Sequence, residues 1–168
     1  ILNFGIMKTI YLIRHAKSSW DIHTIEDHER PLNDRGRRDA ERMAEYLKGL
    51  DIKPQLALCS TAKRTKETFS YFTRHFDSLP LQLTKKLYLA PVSVLEEEIH
   101  SISNEYDNVI LFGHNNGVSD LVSIILEKTV DLPTCSFTQI EFPVNDWKEA
   151  DLKQARIAAA IAPKDLPE

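Results

Sequence analysis

Short runs rich in β-branched residues alternate along this chain with stretches of helical spacing. That alternation restricts the fold more than any other feature, because it is the pattern of βα units laid on a mostly parallel sheet. The strand candidates are "KTIYLI", "QLALCS", "LQLTKKLY", "NVILFG", "SFTQIEF" and "ARIAAAIA", so the sheet is expected to hold about six strands. Between them, Ala40, Met43, Ala44 and Leu47 keep the i, i+3, i+4, i+7 spacing of a helix capped by Asn33 or Asp34. Thr65, Phe69, Phe72 and Phe76 put one apolar stripe on a second helix that follows Ser60. Pro91 suits the first turn of a third helix carrying Leu95, Ile99 and Ile102, and Val118, Leu121, Val122 and Ile125 mark a fourth. The expected class is α/β with a mostly parallel central sheet.

Composition decides what else the chain can be. A length of 168 residues, 42% hydrophobic and 27% charged, fits one globular domain over residues 1–168 and excludes disordered and fibrous classes. Lysine and arginine number 21 against 25 acids, a net charge of −4, so there is no basic excess to hold nucleic acid or anionic lipid over a broad surface. An anion would have to be bound locally. Cys59 and Cys135 are too few for a disulfide scaffold and lack zinc-site spacing, and both are expected reduced and buried. The opening "ILNFGIMKTIYLI" is interrupted by Lys8 and has neither a basic leader nor a small-residue cleavage site. It reads as a strand rather than a signal peptide, with Met7 a candidate natural start and the residues before it a remnant. No run reaches membrane-spanning length, so a cytoplasmic protein is expected.

Ligands of open α/β sheets bind at the carboxyl ends of the strands. The first strand ends in Arg14 and His15, the second runs into a helix with Arg64 near its start, and "NVILFG" delivers His114. Two arginines and two histidines converging on one crevice suit a phosphoryl group, whose oxygens match guanidinium forks. The helix opening after Gly113, capped by Asn115 or Asn116, would add its N–H groups and positive dipole end. Arg14 and His15 are adjacent, so on an extended backbone they would face opposite sides, leaving one as structural support. His23 and His28, set among Asp21, Glu26 and Asp27, have metal-ligand chemistry but no regular spacing. The stretch from Asp21 to Pro31 is therefore expected to be a flexible polar loop with no metal. His75 and His100 fall late in helices, and Gly36 is expected where backbone packs closely near a helix start.

"LIRHAKSSW", "RPLNDRGRRDA", "LCSTAKRTKET" and "VILFGHNNG", in that order over residues 12–117, resemble the histidine phosphatase superfamily, and most of all its small SixA-type phosphohistidine phosphatases. The later "LPTCSFTQIEF" is similar to that type as well. The resemblance implies a three-layer α/β/α sandwich of the phosphoglycerate mutase-like kind. It makes His15 a nucleophile that is transiently phosphorylated, with Arg14, Arg64 and His114 holding the phosphoryl oxygens and Asn115 counted among the phosphate ligands. Ala16 stands where many members have glycine, and Asp21 where mutase-like relatives commonly have asparagine. Asn115 stands where the acid-phosphatase branch has an aspartate general acid. Asp21 and Glu96 to Glu98 are the weak remaining candidates for a general acid. An alkoxide needs a proton in order to leave, whereas imidazole, with a conjugate-acid pKa of about 6.5, manages without a strong acid. The chain is also short of material for a lid, so an open crevice is expected. The expected function is removal of phosphate from a phosphohistidine-containing phosphotransfer protein, with no metal or cofactor. The alternatives are a phosphomonoesterase or mutase acting on a small phosphorylated metabolite, and a phosphate- or phosphoprotein-binding module without turnover.

Overall fold

Residues 7–21 and 23–168 are described in a computed structural model. Six strands form one sheet: β1 (Lys8–Arg14), β2 (Leu56–Ser60), β3 (Leu81–Thr84), β4 (Asn108–Gly113), β5 (Phe137–Phe142) and β6 (Arg156–Ile161). Their order is β3-β2-β4-β1-β5-β6. β1 pairs with β4 in parallel, as do β2 with β4 and β2 with β3, while β5 runs antiparallel to both β1 and β6. Four helices accompany the sheet: α1 (Asp34–Gly49), α2 (Lys63–Phe72), α3 (Val92–His100) and α4 (Gly117–Leu126). None is long and apolar enough to cross a membrane.

The three layers follow from strand alternation. Ile10 and Leu12 of β1, with Val109 and Leu111 of β4, pack on Leu95 and Ile99 of α3 and on Val118, Leu121 and Val122 of α4. The intervening Tyr11, Ile13, Ile110 and Phe112 meet Met43, Ala44 and Leu47 of α1 and Phe69 and Phe72 of α2. A strand buried on both faces reads as a continuous apolar run, which is why β1, β2 and β4 stand out in the sequence. Phe69 and Phe72 meet Phe112 edge-on, with centroids 5.6 and 5.1 Å apart. Each such pair contributes roughly 0.5–1.5 kcal/mol beyond its burial, which fixes α2, and Arg64 with it, over the end of β2.

Several local expectations are corrected. α2 stops at Phe72, so Phe76 and His75 lie in the turn beyond it, and Ile102 lies past the end of α3. Pro91 is the N-cap of α3 rather than part of its first turn, and β3 gives way at Lys85 to a one-turn 3-10 helix ending at Leu87. α1 is capped by Asn33, whose side chain accepts from the Gly36 N–H. A Cβ on Gly36 would lie 2.1 Å from the Lys17 carbonyl oxygen, so glycine there reflects close packing, as expected. Cys59 and Cys135 are free and buried.

Candidate active site

β1 ends at Arg14, and His15 follows in a segment that has left the sheet. This break resolves the expected opposition of the two side chains: both line one cavity of about 270 Å³ at the carboxyl end of the sheet. The segment is fixed from three sides. The His15 N–H donates to the Gly113 carbonyl, the Cys135 N–H donates to the carbonyls of Arg14 and His15, and the Ala16 N–H donates to Thr68 Oγ1 on α2.

The two imidazoles are 5.1 Å apart, centroid to centroid. His15 Nδ1 lies 2.8 Å from the Ala16 carbonyl oxygen, which can only accept. Nδ1 therefore carries the proton and Nε2 keeps its lone pair. Burial pushes the His15 pKa down to about 3, aided by the neighbouring charges of Arg64, Arg14 and Arg30. The ring is thus neutral and nucleophilic across the physiological range. Burial also holds His114 down at about 2, with His15 and Arg64 contributing. His114 Nε2 sits 2.8 Å from Ser60 Oγ at the end of β2, and its Nδ1 is buried without a partner among the described residues.

Arg64, only 2% exposed, directs Nε at His15 Nε2 over 3.4 Å. Its other two nitrogens donate to one residue: Nη1 to the Asp27 backbone carbonyl at 2.7 Å and Nη2 to Asp27 Oδ2 at 3.0 Å. A guanidinium has five N–H groups in a fixed plane, so holding the Nη end this way aims the Nε side at His15 Nε2. Arg14 donates from Nη1 to the Leu132 carbonyl at 2.6 Å, and its Nε is buried with no partner among the described residues.

Within the stretch expected to be a loose polar loop, residues 27–31 are instead packed around this constellation. Residues Asp27–Glu29 form a one-turn 3-10 helix. His28 is held by Thr61 Oγ1 and Glu29, with its ring edge-on to Tyr88. Asp27 accepts from Arg64, Arg30 and the Tyr88 hydroxyl. Burial alone would raise the Asp27 carboxyl, but the hydrogen bonds from Tyr88 and Arg30 and the charge of Arg64 outweigh it and hold the group well below the usual carboxylate range. Arg30 is 7% exposed, donates to Ser18 Oγ and the Ser19 carbonyl, and faces the same cavity. Pairing of Ser19 N–H with the Pro31 carbonyl and of Asn33 N–H with the Lys17 carbonyl brings it there. Arg30, Asp27 and Tyr88 carried no expected role. Arg30 opens the "RPLN" motif, the one available clue, whereas Asp27 and Tyr88 meet Arg64 across 37 and 24 positions of chain with no local pattern.

Asn115 lines the cavity, but its amide donates to Asp131 and the Leu132 carbonyl, and its oxygen accepts from Ser119. Asp21 lies away from this cavity, in a surface cleft with Asn33 and Arg37. Glu96, Glu97 and Glu98 sit on α3, where Glu98 pairs with Lys86, and none of them lines the cavity. The open crevice expected from sequence holds at the rim, where Trp20 and Leu89 are exposed, and not at Arg64, which the Asp27 turn covers.

A neutral imidazole with an available lone pair, ringed by guanidinium groups, is an arrangement that can accept a phosphoryl group. The chain belongs to the histidine phosphatase superfamily (branch 1), whose model matches residues 10–108. It is 30% identical over 159 residues to an uncharacterized chloroplastic protein of Arabidopsis thaliana, covering 87% of this chain and 72% of that one. Its fold is similar to that of an Agrobacterium tumefaciens protein provisionally assigned as the phosphohistidine phosphatase SixA, at TM-score 0.81 and 24% identity over 93% of this chain and 98% of that one. A protein histidine phosphatase SixA complexed with tungstate matches at TM-score 0.80 and 20% identity, over 95% and 99%. A mycobacterial glucosyl-3-phosphoglycerate phosphatase shares the fold at TM-score 0.67 and 16% identity, over 90% and 97%. The chain is thus a phosphatase of this superfamily.

Proposed function

We propose that this phosphatase removes phosphate from phosphohistidine on a phosphotransfer protein, through a phospho-His15 intermediate. His15 Nε2 attacks phosphorus in line while Arg14, Arg64 and His114 take the phosphoryl oxygens. The substrate ring, protonated by solvent on its other nitrogen, departs as neutral imidazole: its N–P bond breaks as the new N–P bond forms. Water then attacks the phospho-His15, releasing inorganic phosphate and returning the lone pair to Nε2.

One observation carries the choice of substrate. Asp27 is the sole carboxylic acid among the residues lining the cavity, and Arg64, Arg30 and Tyr88 keep it ionised. It has no proton to give an alkoxide. A P–N bond needs none, since imidazole leaves readily near neutral pH. The small cavity, just below the roughly 300–1,000 Å³ of ordinary small-molecule sites, suits a protruding side chain better than an enclosed metabolite.

Phosphate release from a phosphohistidine-bearing phosphotransfer protein, measured beside a panel of sugar and glycerate phosphates, tests this reading. The protein substrate is expected to be preferred, and a label from it should be trapped as acid-labile phosphate on His15. Replacing His15 with Ala should lower turnover on the order of 10⁴-fold while leaving the fold intact. Preference for a metabolite, or an active His15→Ala protein, overturns the proposal.

A further inference from the structure

Two large apolar side chains stand exposed at the mouth of the cavity that holds His15: Trp20, at 64%, and Leu89, at 52%. Scattered exposed apolar residues are ordinary. These two are held in place, and that sets them apart. The Trp20 indole lies over the Arg30 guanidinium, 3.5 Å from ring centroid to Cζ. Arg30 is itself buried and pinned by Ser18, Ser19 and Asp27. One face of the indole is therefore fixed by a cation, and its exposure belongs to the rest of the ring. Lining the same cavity, Leu89 has φ of 50°, a left-handed conformation that a leucine adopts only against steric cost. The neighbouring residues keep it there. Ala90 is clamped to α4, where a Cβ on Gly117 would come within 1.9 Å of its carbonyl oxygen, and Tyr88 is bonded to Asp27.

In-line displacement puts the leaving group on the side of phosphorus opposite His15 Nε2, which is the side of the cavity mouth. We propose that Trp20 and Leu89 form a rim that holds the imidazole ring of the phosphohistidine substrate and so sets the enzyme's preference for a ring-bearing leaving group. This rests on the phosphohistidine reading above. An indole face held in advance stacks on a flat ring without ordering itself first, and Leu89 offers a second apolar surface at the same cavity. A leaving group with no ring gains nothing from either side chain. The cations around the phosphoryl position, Arg14, Arg30, Arg64 and Lys17, serve any phosphorylated substrate alike, so discrimination falls to the rim.

The test compares two P–N substrates, N-phosphohistidine, which carries the ring, and phosphoramidate, whose leaving group is ammonia; their intrinsic difference in reactivity cancels when each variant's ratio is set against the wild type's. Steady-state kcat/KM is measured on both for the wild type, Trp20→Ala, Trp20→Phe and Leu89→Ala, with thermal melts to confirm folding. The ratio of phosphohistidine to phosphoramidate kcat/KM is expected to fall about five- to tenfold in Trp20→Ala, to recover most of that in Trp20→Phe, and to fall two- to threefold in Leu89→Ala. A ratio unchanged in Trp20→Ala overturns the rim, including the case in which both rates fall together because Arg30 has lost its support. A wild type that cleaves sugar phosphates and neither P–N substrate overturns the phosphohistidine reading itself and the rim with it. An unchanged ratio in an enzyme active on phosphohistidine overturns the rim alone.

Discussion

Strand β1 carries a cation at each end, buried Lys8 and half-buried Arg14, and the two are treated in opposite ways. Lys8, at the amino end, is 1% exposed and has all three ammonium donors engaged, by the carbonyls of Asn104 and Tyr106 and by Asp107 Oδ1. Its charge also lies 5.6 Å from the Trp147 ring. Nothing is left over for a ligand. At the carboxyl end, Arg14 has a buried Nε with no partner among the described residues, and Arg64 turns its Nε to the lone pair of a histidine. A buried polar group left unmet costs stability, and a fold retains it where a ligand supplies the missing bond. Satisfaction at one end marks a structural charge. Shortfall at the other is what the proposed phosphate-binding role would fill.

The contrast can be broken deliberately. Arg64→Lys keeps the charge and loses the planar fork, so kcat/KM should fall on the order of a hundredfold in protein that remains folded, as read by phosphate release. Acid titration of stability sharpens the same point. His15 and His114 are held at about 3 and about 2, below the ordinary 6.5. Between those values and 6.5 the unfolded chain binds protons that the folded chain refuses, so stability is full above pH 6.5 and declines as the pH falls. Each histidine contributes a slope of up to about 1.4 kcal/mol per pH unit, and urea unfolding of a His15→Asn, His114→Asn protein should show a flatter profile. Lys8→Met should do the reverse of Arg64→Lys: about 2 kcal/mol of stability lost through stranded carbonyls, with kcat within twofold of wild type. The smallest effect is expected of Asp27→Asn, about tenfold in turnover, as Arg64 loses the anchor that aims it.

Much of this arrangement is legible before folding. β1, β2 and β4 announce themselves because strands covered on both faces must be apolar throughout, and the residues at their carboxyl ends are then candidates by position alone. Arg14, His15, Arg64 and His114 are found that way, and the structure gathers them at the end of the sheet. What the sequence hides is whatever depends on a meeting between segments. Asp27 looks like one acid among several in a polar stretch until Arg64, Arg30 and Tyr88 arrive from three other places. Trp20 gives no sign that Arg30 will lie beneath it. Asn115 shows the limit from the other side, since its position beside His114 suggests a ligand while its amide is already engaged by Asp131, Leu132 and Ser119.

Gly36 and Gly117 each press a helix close to the cavity at a distance that no side chain could share: α1 onto Lys17, which lines it, and α4 onto Ala90, the neighbour of lining Leu89. Neither has a side chain that could touch phosphate. In a saturation-mutagenesis library scored by phosphatase activity, both positions should nonetheless be as intolerant as His15, and activity alone could not separate them from it. A second score for the amount of folded protein would. His15 variants should stay abundant and dead, while those at the two glycines should vanish from the soluble pool, so the scaffold and the chemistry of this site can be told apart without a structure of any variant.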